Sequence, residues 1–220
     1  MTEYISSIIE AGGGIVGSVA SAFIAAGYIG KAFKANIAPQ FRTYSDEKHD
    51  VHKLMRTAKN NIYIVASIGD QLLEKHEKRI SGYLKKGVKV RFLIQKKPQY
   101  YELEHYINAN QDFTDEHYAL VRNSALKKLK RLQMEFPTRV EIREFPFFLS
   151  ASYIGIDIEE NIATNSWLSN AIIQVMLYQY AVPAQKCPIT YFSFKDNREL
   201  FKSTANCILE MWSNGEKLGA

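Results

Sequence analysis

Between residues 62 and 145 the sequence alternates three β-branched runs with two amphipathic stretches, and this alternation restricts the fold more than any other feature. The runs are Ile62–Ser67, Val88–Ile94 and Val140–Phe145. Short apolar runs separated by helical stretches are typical of buried parallel strands joined by crossover helices. We therefore predict an α/β body with right-handed crossovers.

The remaining elements follow from apolar periodicity and from capping residues. We predict one helix between Asp70, which can cap it, and Gly87, a C′ glycine. Further helices are predicted over Ser45–Lys59 and Asp115–Phe136 and after Asp196, with Leu200, Phe201, Ala205, Ile208 and Met211 facing inward; further strands are predicted over Ser152–Ile158, Ala171–Tyr180 and Ile189–Phe194. The order β-α-β-α-β-β-β-β-α predicts a mixed sheet flanked by helices.

The N-terminal segment Ala11–Gly30 has no charged residue and is rich in glycine and alanine. As a helix it would cover about 30 Å, the thickness of a bilayer's hydrocarbon core. Its small residues form two adjacent helical rows, the pattern that lets helices approach closely within a membrane: Gly13, Gly14, Gly17, Ser18, Ser21, Ala22, Ala25, Ala26 and Gly30. A membrane span, a helix buried in a soluble oligomer and an interfacial helix remain open, and each predicts a homo-oligomer.

Charge around this segment sets its predicted orientation. Lys31 and Lys34 follow it, whereas the charged residues before it are all acidic. One of them, Glu10, would lie near a pore mouth. The positive-inside rule then places the C-terminal body in the cytoplasm, at the inner membrane; a wholly cytoplasmic protein is the alternative. Because Pro39 interrupts a continuous helix, we predict a hydrophobic helix with its connector over 1–44 and a separate domain over 45–220.

The body is mildly basic, with a net charge of +5 and a pI near 9.0. Its densest basic cluster comprises Lys127, Lys128, Lys130 and Arg131, which is either a solvated helix face or a contact for nucleic acid or lipid phosphates. Cys187 and Cys207 are predicted to be buried, without a disulfide. No P-loop, dinucleotide fingerprint or metal-ligand spacing occurs, so we predict no metal and no cofactor.

Three segments resemble the phospholipase D superfamily. The segment IYIVASIGDQLLEKHEKRISGYLKKGVKVRFLIQ is similar to the opening strand, helix and second strand of that fold. VEIREF lies where the family's next strand leads into its catalytic motif, and LFKSTANCILEMW resembles its closing helix. The resemblance covers about Asp46 to Trp212 and implies one phospholipase D-like half.

Active members of this family carry the motif H-x-K-x4-D, with a histidine nucleophile, a phosphate-binding lysine and a supporting aspartate. Aligned on Asp157, this sequence has Ser150 at the histidine position and Ser152 at the lysine position. The resemblance therefore implies a degenerate, non-catalytic site. Three readings stay open: Asp157 hydrogen-bonds a strand-end turn, a retained pocket binds a phosphate-bearing ligand, or Ser150 and Asp157 support hydrolysis.

Three functions are compatible with these features. The first is a membrane-anchored, non-catalytic oligomeric effector or sensor that perturbs the bilayer or forms a pore, a layout that resembles bacterial anti-phage effectors; its partners would be lipid and a nucleotide-like ligand, nucleic acid or defence protein. The second is a soluble oligomeric module that binds a phosphate ligand or nucleic acid, with the N-terminal helix buried in the oligomer. The third is a phosphodiesterase or nuclease that uses Ser150 and Asp157.

Overall fold

Three parallel strands with their crossover helices form one part of the sheet in a computed structural model of the protein. The model describes residues 42–43, 51–97, 114–147, 149–159, 170–178 and 186–218. All of these belong to the second of two units, and the boundary between the units in the sequence falls between Pro39 and Gln40. The elements are β1 (Arg42–Thr43), α1 (Val51–Met55), β2 (Asn61–Ala66), α2 (Asp70–Lys85), β3 (Lys89–Gln95), α3 (Asp115–Glu135), β4 (Val140–Phe145), β5 (Ala151–Ile156), β6 (Ile172–Leu177), β7 (Pro188–Ser193), α4 (Arg198–Ser213) and β8 (Glu216–Lys217).

The strands form one mixed sheet in the order β1-β7-β6-β5-β2-β3-β4-β8. Strands β2, β3 and β4 pair in parallel, so they begin at one edge of the sheet and end at the other. The pairs β2–β5, β5–β6 and β6–β7 are antiparallel. The predicted α/β body with a mixed sheet flanked by helices is confirmed.

The sheet divides the apolar core into two layers because successive strand side chains point to opposite faces. Ile62 and Ile64 of β2 pack with α1, α2 and α3. Tyr63 and Val65 of the same strand pack on the other face with α4. Strand β2 is buried along almost its whole length, which explains why its sequence is a continuous apolar run.

Helix α2 shows how local residues set the boundaries of an element. Gly69 precedes it with φ 78°, a left-handed conformation that glycine adopts without steric cost. Asp70, predicted as the cap, is instead the first helical residue. After the helix Gly87 has φ 98°, which confirms the predicted C′ glycine.

Several expectations about individual residues are wrong. The inward stripe of α4 is Phe201, Ala205, Ile208 and Trp212, which turns Leu200 to the surface at 37% exposure. Cys207 is exposed for the same reason, whereas Cys187 is buried, and no disulfide joins the two. The helix predicted over Ser45–Lys59 ends at Met55, because the following backbone N–H groups of Thr57 and Ala58 bond carbonyls only three residues back.

The N-terminal predictions lie outside the described residues. They comprise the segment 11–30, its small-residue rows from Gly13 to Gly30 and the acidic residue Glu10. Within the ranges that the structure describes, no helix is long and apolar enough to cross a membrane.

Candidate functional site

The structure separates the residues of the degenerate motif. Ser150 is exposed immediately before β5, and Ser152 is half-buried near the start of that strand. Asp157 follows the other end of β5. At about 3.3 Å per residue, the two serines lie roughly 15 to 20 Å or more from Asp157. Ser150 and Asp157 therefore do not converge on one reacting bond.

Asp157 uses its carboxylate within the fold. Oδ1 accepts the backbone N–H groups of Asn60 (2.7 Å) and Asn61 (3.0 Å). Oδ2 accepts the N–H of Lys59 and the side-chain amide of Asn170, both at 2.9 Å. The residue is 1% exposed and has φ 52°. Of the three readings, the one in which Asp157 hydrogen-bonds a strand-end turn describes the observed geometry.

A row of basic residues lies along one edge of the sheet. The loop before β2, which Asp157 holds, contributes Lys59 to this row. Each parallel strand is preceded by a basic loop: Lys59 lies before β2, Lys86 before β3, and Arg139 directly before β4. Lys89 begins β3. Its N–H donates to Asn60 O at 2.9 Å, and the next N–H donates to Arg139 O at 2.8 Å. Neighbouring strands are about 4.8 Å apart, and Lys89 and Arg139 line one cleft.

We call Lys59, Lys86, Lys89 and Arg139, together with Lys217, the basic edge; Lys217 lies on β8 beside Arg143, four positions along the chain from Arg139, and lines the same cleft as Lys89 and Arg139. The four lysines are exposed, and none forms an ion pair with a carboxylate in the described ranges. Arg139 donates from Nη1 to Leu84 O. Adjacent like charges repel, so an edge of this kind favours an anion from outside the fold.

A cleft of about 600 Å³ adjoins the basic edge. Its charged lining consists of Lys89, Arg91, Arg139, Lys217 and one carboxylate, Glu141. Glu141 Oε1 already accepts hydrogen bonds from Arg143 at 3.1 and 2.8 Å. Positive charge therefore dominates the cleft.

The basic face of α3, predicted from the sequence, is partly used by the fold. Arg131 forms an ion pair with Glu77 of α2. Lys128 is half-buried and close enough to Asp70 to oppose the rise that burial causes in the pKa of that carboxyl. Lys127 and Lys130 are exposed. Helix α3 thus offers two free-standing lysines, fewer than the basic edge.

A polar network on the α4 face of the sheet joins the strands behind the cleft. The Tyr63 hydroxyl donates to Glu159 Oε1 at 2.6 Å, and Arg91 both donates to that hydroxyl and pairs with Glu159. Burial raises the pKa of Tyr63 to about 12, although the Arg91 charge opposes the rise. Arg91 is therefore held by protein groups and is less available to a ligand than Lys89.

Comparison with known proteins does not assign this chain to a family. No protein-family model and no curated protein matches the sequence. Among solved structures the chain is similar to TrmBL2, an archaeal chromatin protein whose structure "shows a novel mode of DNA binding", with 13% identity and a TM-score of 0.49. The match covers 99% of this chain and 66% of that protein, so the chain spans slightly less than two thirds of its length.

Sequence reasoning missed the basic edge because its members are spread from residue 59 to residue 217. A usable signal exists nevertheless. Lys86 and Lys89 flank the start of the predicted strand Val88–Ile94, Arg139 directly precedes the predicted strand Val140–Phe145, and the starts of parallel strands lie at one edge.

Proposed function

We propose that residues 40–220 form a phospholipase D-like half domain that has lost catalysis and binds the phosphate backbone of nucleic acid. The element order from β2 to α4 matches the order that the resemblance implies. Serines stand at the positions of the nucleophile and the phosphate-binding lysine. Asp157, the one motif residue that is kept, has its carboxylate fully hydrogen-bonded to the protein, which supports a binding role rather than hydrolysis.

The observation that carries this proposal is the basic edge. Its lysines are exposed, and none of them forms an ion pair with a carboxylate in the part of the chain that the structure describes. A nucleic acid presents phosphates in a regular row, and lysines that neutralise them release condensed counterions, which drives binding at low salt. Contacts of this kind position a backbone and do not read its sequence. We therefore expect binding with little sequence preference.

Charge removal on the basic edge is expected to weaken nucleic-acid binding by tenfold or more at low salt. The test variant is Lys86→Gln/Lys89→Gln/Lys217→Gln, measured by fluorescence anisotropy with labelled duplex DNA, single-stranded DNA and RNA over a salt series. Each lost phosphate contact should reduce the slope of log K against log salt by about one. The bound nucleic acid should be recovered at its original length.

The matched control removes three exposed lysines elsewhere, as Lys127→Gln/Lys130→Gln/Lys195→Gln, and so has the same net charge. Equal losses in the two variants would show that only net charge matters, and would refute a site at the basic edge. An absence of binding by the wild-type chain at low salt would refute the function itself. Cleavage that Ser150→Ala abolishes would reinstate the enzymatic alternative.

The charge-free segment Ala11–Gly30 favours a second candidate, a membrane-bound oligomeric effector of the anti-phage type, with the same domain as its sensor. We expect full-length protein to stay in the membrane pellet after carbonate extraction and to require detergent for purification. A shortened chain that begins at Gln40, the first residue of the second unit, should be released. Recovery of the full-length chain in the supernatant as a stable multimer would instead support a helix buried in a soluble oligomer.

A further inference from the structure

The edge of the sheet opposite the basic edge carries buried polar groups that nucleic-acid backbone binding does not use. Ser67 follows β2, and Gln95 ends β3. The Gln95 N–H donates to Ser67 O at 3.2 Å, so the two residues are direct neighbours. They are 6% and 1% exposed. Ligands of open α/β sheets bind outside the carboxyl ends of the strands, which is where these residues lie.

Two hydrogen-bonding groups in this position lack partners. Gln95 Oε1 accepts the N–H of Leu149 at 3.3 Å, which fixes the orientation of the amide and directs Nε2 elsewhere. Neither Gln95 Nε2 nor Ser67 Oγ has a hydrogen-bond partner among the described residues. Leaving a buried donor unsatisfied is costly, and a ligand that supplies acceptors at this edge would satisfy both groups.

An exposed aromatic ring follows β4, the strand that pairs with β3 at Gln95. Phe145, the last residue of β4, is the register partner of Gln95. Phe147 packs against Phe145 with ring centroids 5.4 Å apart in an edge-to-face arrangement, yet its side chain remains 65% exposed. A phenyl ring that packs against another ring on one side and is exposed to solvent on the other can stack on a planar ligand.

Among the described residues near this edge, the ionisable groups do not supply a free positive charge. Lys96, next to Gln95, is paired with Glu216 at 2.8 Å. The Tyr178 phenol at the end of β6 hydrogen-bonds the Ser152 side chain and the Ser67 backbone, and burial raises its pKa. Burial likewise raises the pKa of Asp70, which lies within electrostatic range of that phenol. This environment disfavours an anionic ligand and favours an uncharged one.

We propose that the carboxyl edge of the parallel strands binds a nucleobase or nucleoside. Gln95 Nε2 and Ser67 Oγ donate to its carbonyl or ring-nitrogen acceptors, and the Phe147 ring stacks on its face. Lys59, Lys86, Lys89 and Arg139 lie at the other end of the parallel strands, about 20 Å away for β2. Lys217 of the basic edge is nearer, because it pairs with Arg143 on β4. The nucleoside site takes a separate ligand and does not depend on the proposed backbone binding.

The test is calorimetric titration of the full-length protein with adenosine, guanosine, cytidine and uridine, with ribose 5-phosphate as the comparison. At least one nucleoside is expected to bind with a dissociation constant of millimolar or tighter, and ribose 5-phosphate is not. Gln95→Met preserves the size of the side chain but removes the donor, and should weaken binding about tenfold. Phe147→Ala should weaken it by a similar factor.

Met134→Ala is the matched control, because Met134 is 77% exposed on α3 and lies away from this edge. It should bind the nucleoside as the wild type does. The Lys86→Gln/Lys89→Gln/Lys217→Gln variant should also retain nucleoside binding, which keeps the failure of this proposal distinct from the failure of backbone binding. The proposal is overturned if no nucleoside binds at millimolar concentration, or if folded Gln95→Met binds as tightly as the wild type.

Discussion

Replacement of Asp157 by alanine is expected to lower the free energy of unfolding by about 3 to 5 kcal/mol. The carboxylate accepts four hydrogen bonds, three of them from the consecutive backbone N–H groups of Lys59, Asn60 and Asn61. Alanine leaves the buried N–H of Asn61 unsatisfied and removes the acceptor of the partly buried N–H groups of Lys59 and Asn60. It also retains the positive φ of residue 157, which a residue without a polar side chain adopts less readily.

Urea denaturation followed by circular dichroism measures this loss. Asp157→Asn is the graded comparison: asparagine tolerates the left-handed conformation and keeps one acceptor, but its amide nitrogen faces the donors that Oδ2 accepts. The free energy of unfolding of Asp157→Asn should lie between those of the wild type and Asp157→Ala. Ser150→Ala, at the exposed end of β5, should change stability by less than about 0.5 kcal/mol. A loss below about 1 kcal/mol for Asp157→Ala would contradict the structural role of this residue.

The protein is expected to lose about 2 to 3 kcal/mol of stability between pH 10 and 12 through Tyr63 alone. Burial raises the pKa of Tyr63 from 10.0 to about 12 in the folded chain. Below pH 10 the phenol is neutral in both states and the stabilisation is complete. Between pH 10 and 12 the unfolded chain ionises while the folded chain does not, so the advantage is lost as the pH rises through the folded pKa.

Tyr63→Phe isolates this contribution. At neutral pH the variant should be less stable than the wild type, because the hydrogen bond to Glu159 and the one from Arg91 are lost. On raising the pH from 10 to 12, its stability should fall less than that of the wild type. Burial also raises the pKa values of Tyr153 and Tyr178, so a smaller decline should remain in the variant. Parallel pH profiles would refute the assignment.

The central strands could be predicted closely because their apolar runs are unambiguous. Val140–Phe145 was expected and is observed with the same bounds, and the strand expected at Ile62–Ser67 is observed at Asn61–Ala66. The inward face of α4 was less predictable, since apolar residues occur on more than one side of that helix. Trp212 is buried, and with it the side of α4 that faces the sheet is set, so Leu200 lies at the surface.

The candidate sites were harder to predict, because their residues meet only in the folded sheet. The three hydrogen bonds that Asp157 accepts from backbone N–H groups span 96 to 98 positions, and the lysines of the basic edge come from distant parts of the sequence. The orphaned amide of Gln95 depends on which way its side chain turns, and that is fixed by the backbone of Leu149. Only the basic residues at the starts of two predicted strands leave a local pattern in the sequence; the contacts of Asp157 and Gln95 leave none.

The pairing of Asp157 with the start of β2 also affects the order in which the chain can fold. Strands β2, β3 and β4 and their helices are complete at residue 145, yet the acceptor for the first N–H groups of β2 comes twelve residues later. Contacts between distant segments form slowly, because closing the intervening loop costs entropy. During synthesis, the unit from β2 to β4 is therefore expected to remain only partly stable until β5 and Asp157 have been synthesised and can pair with β2.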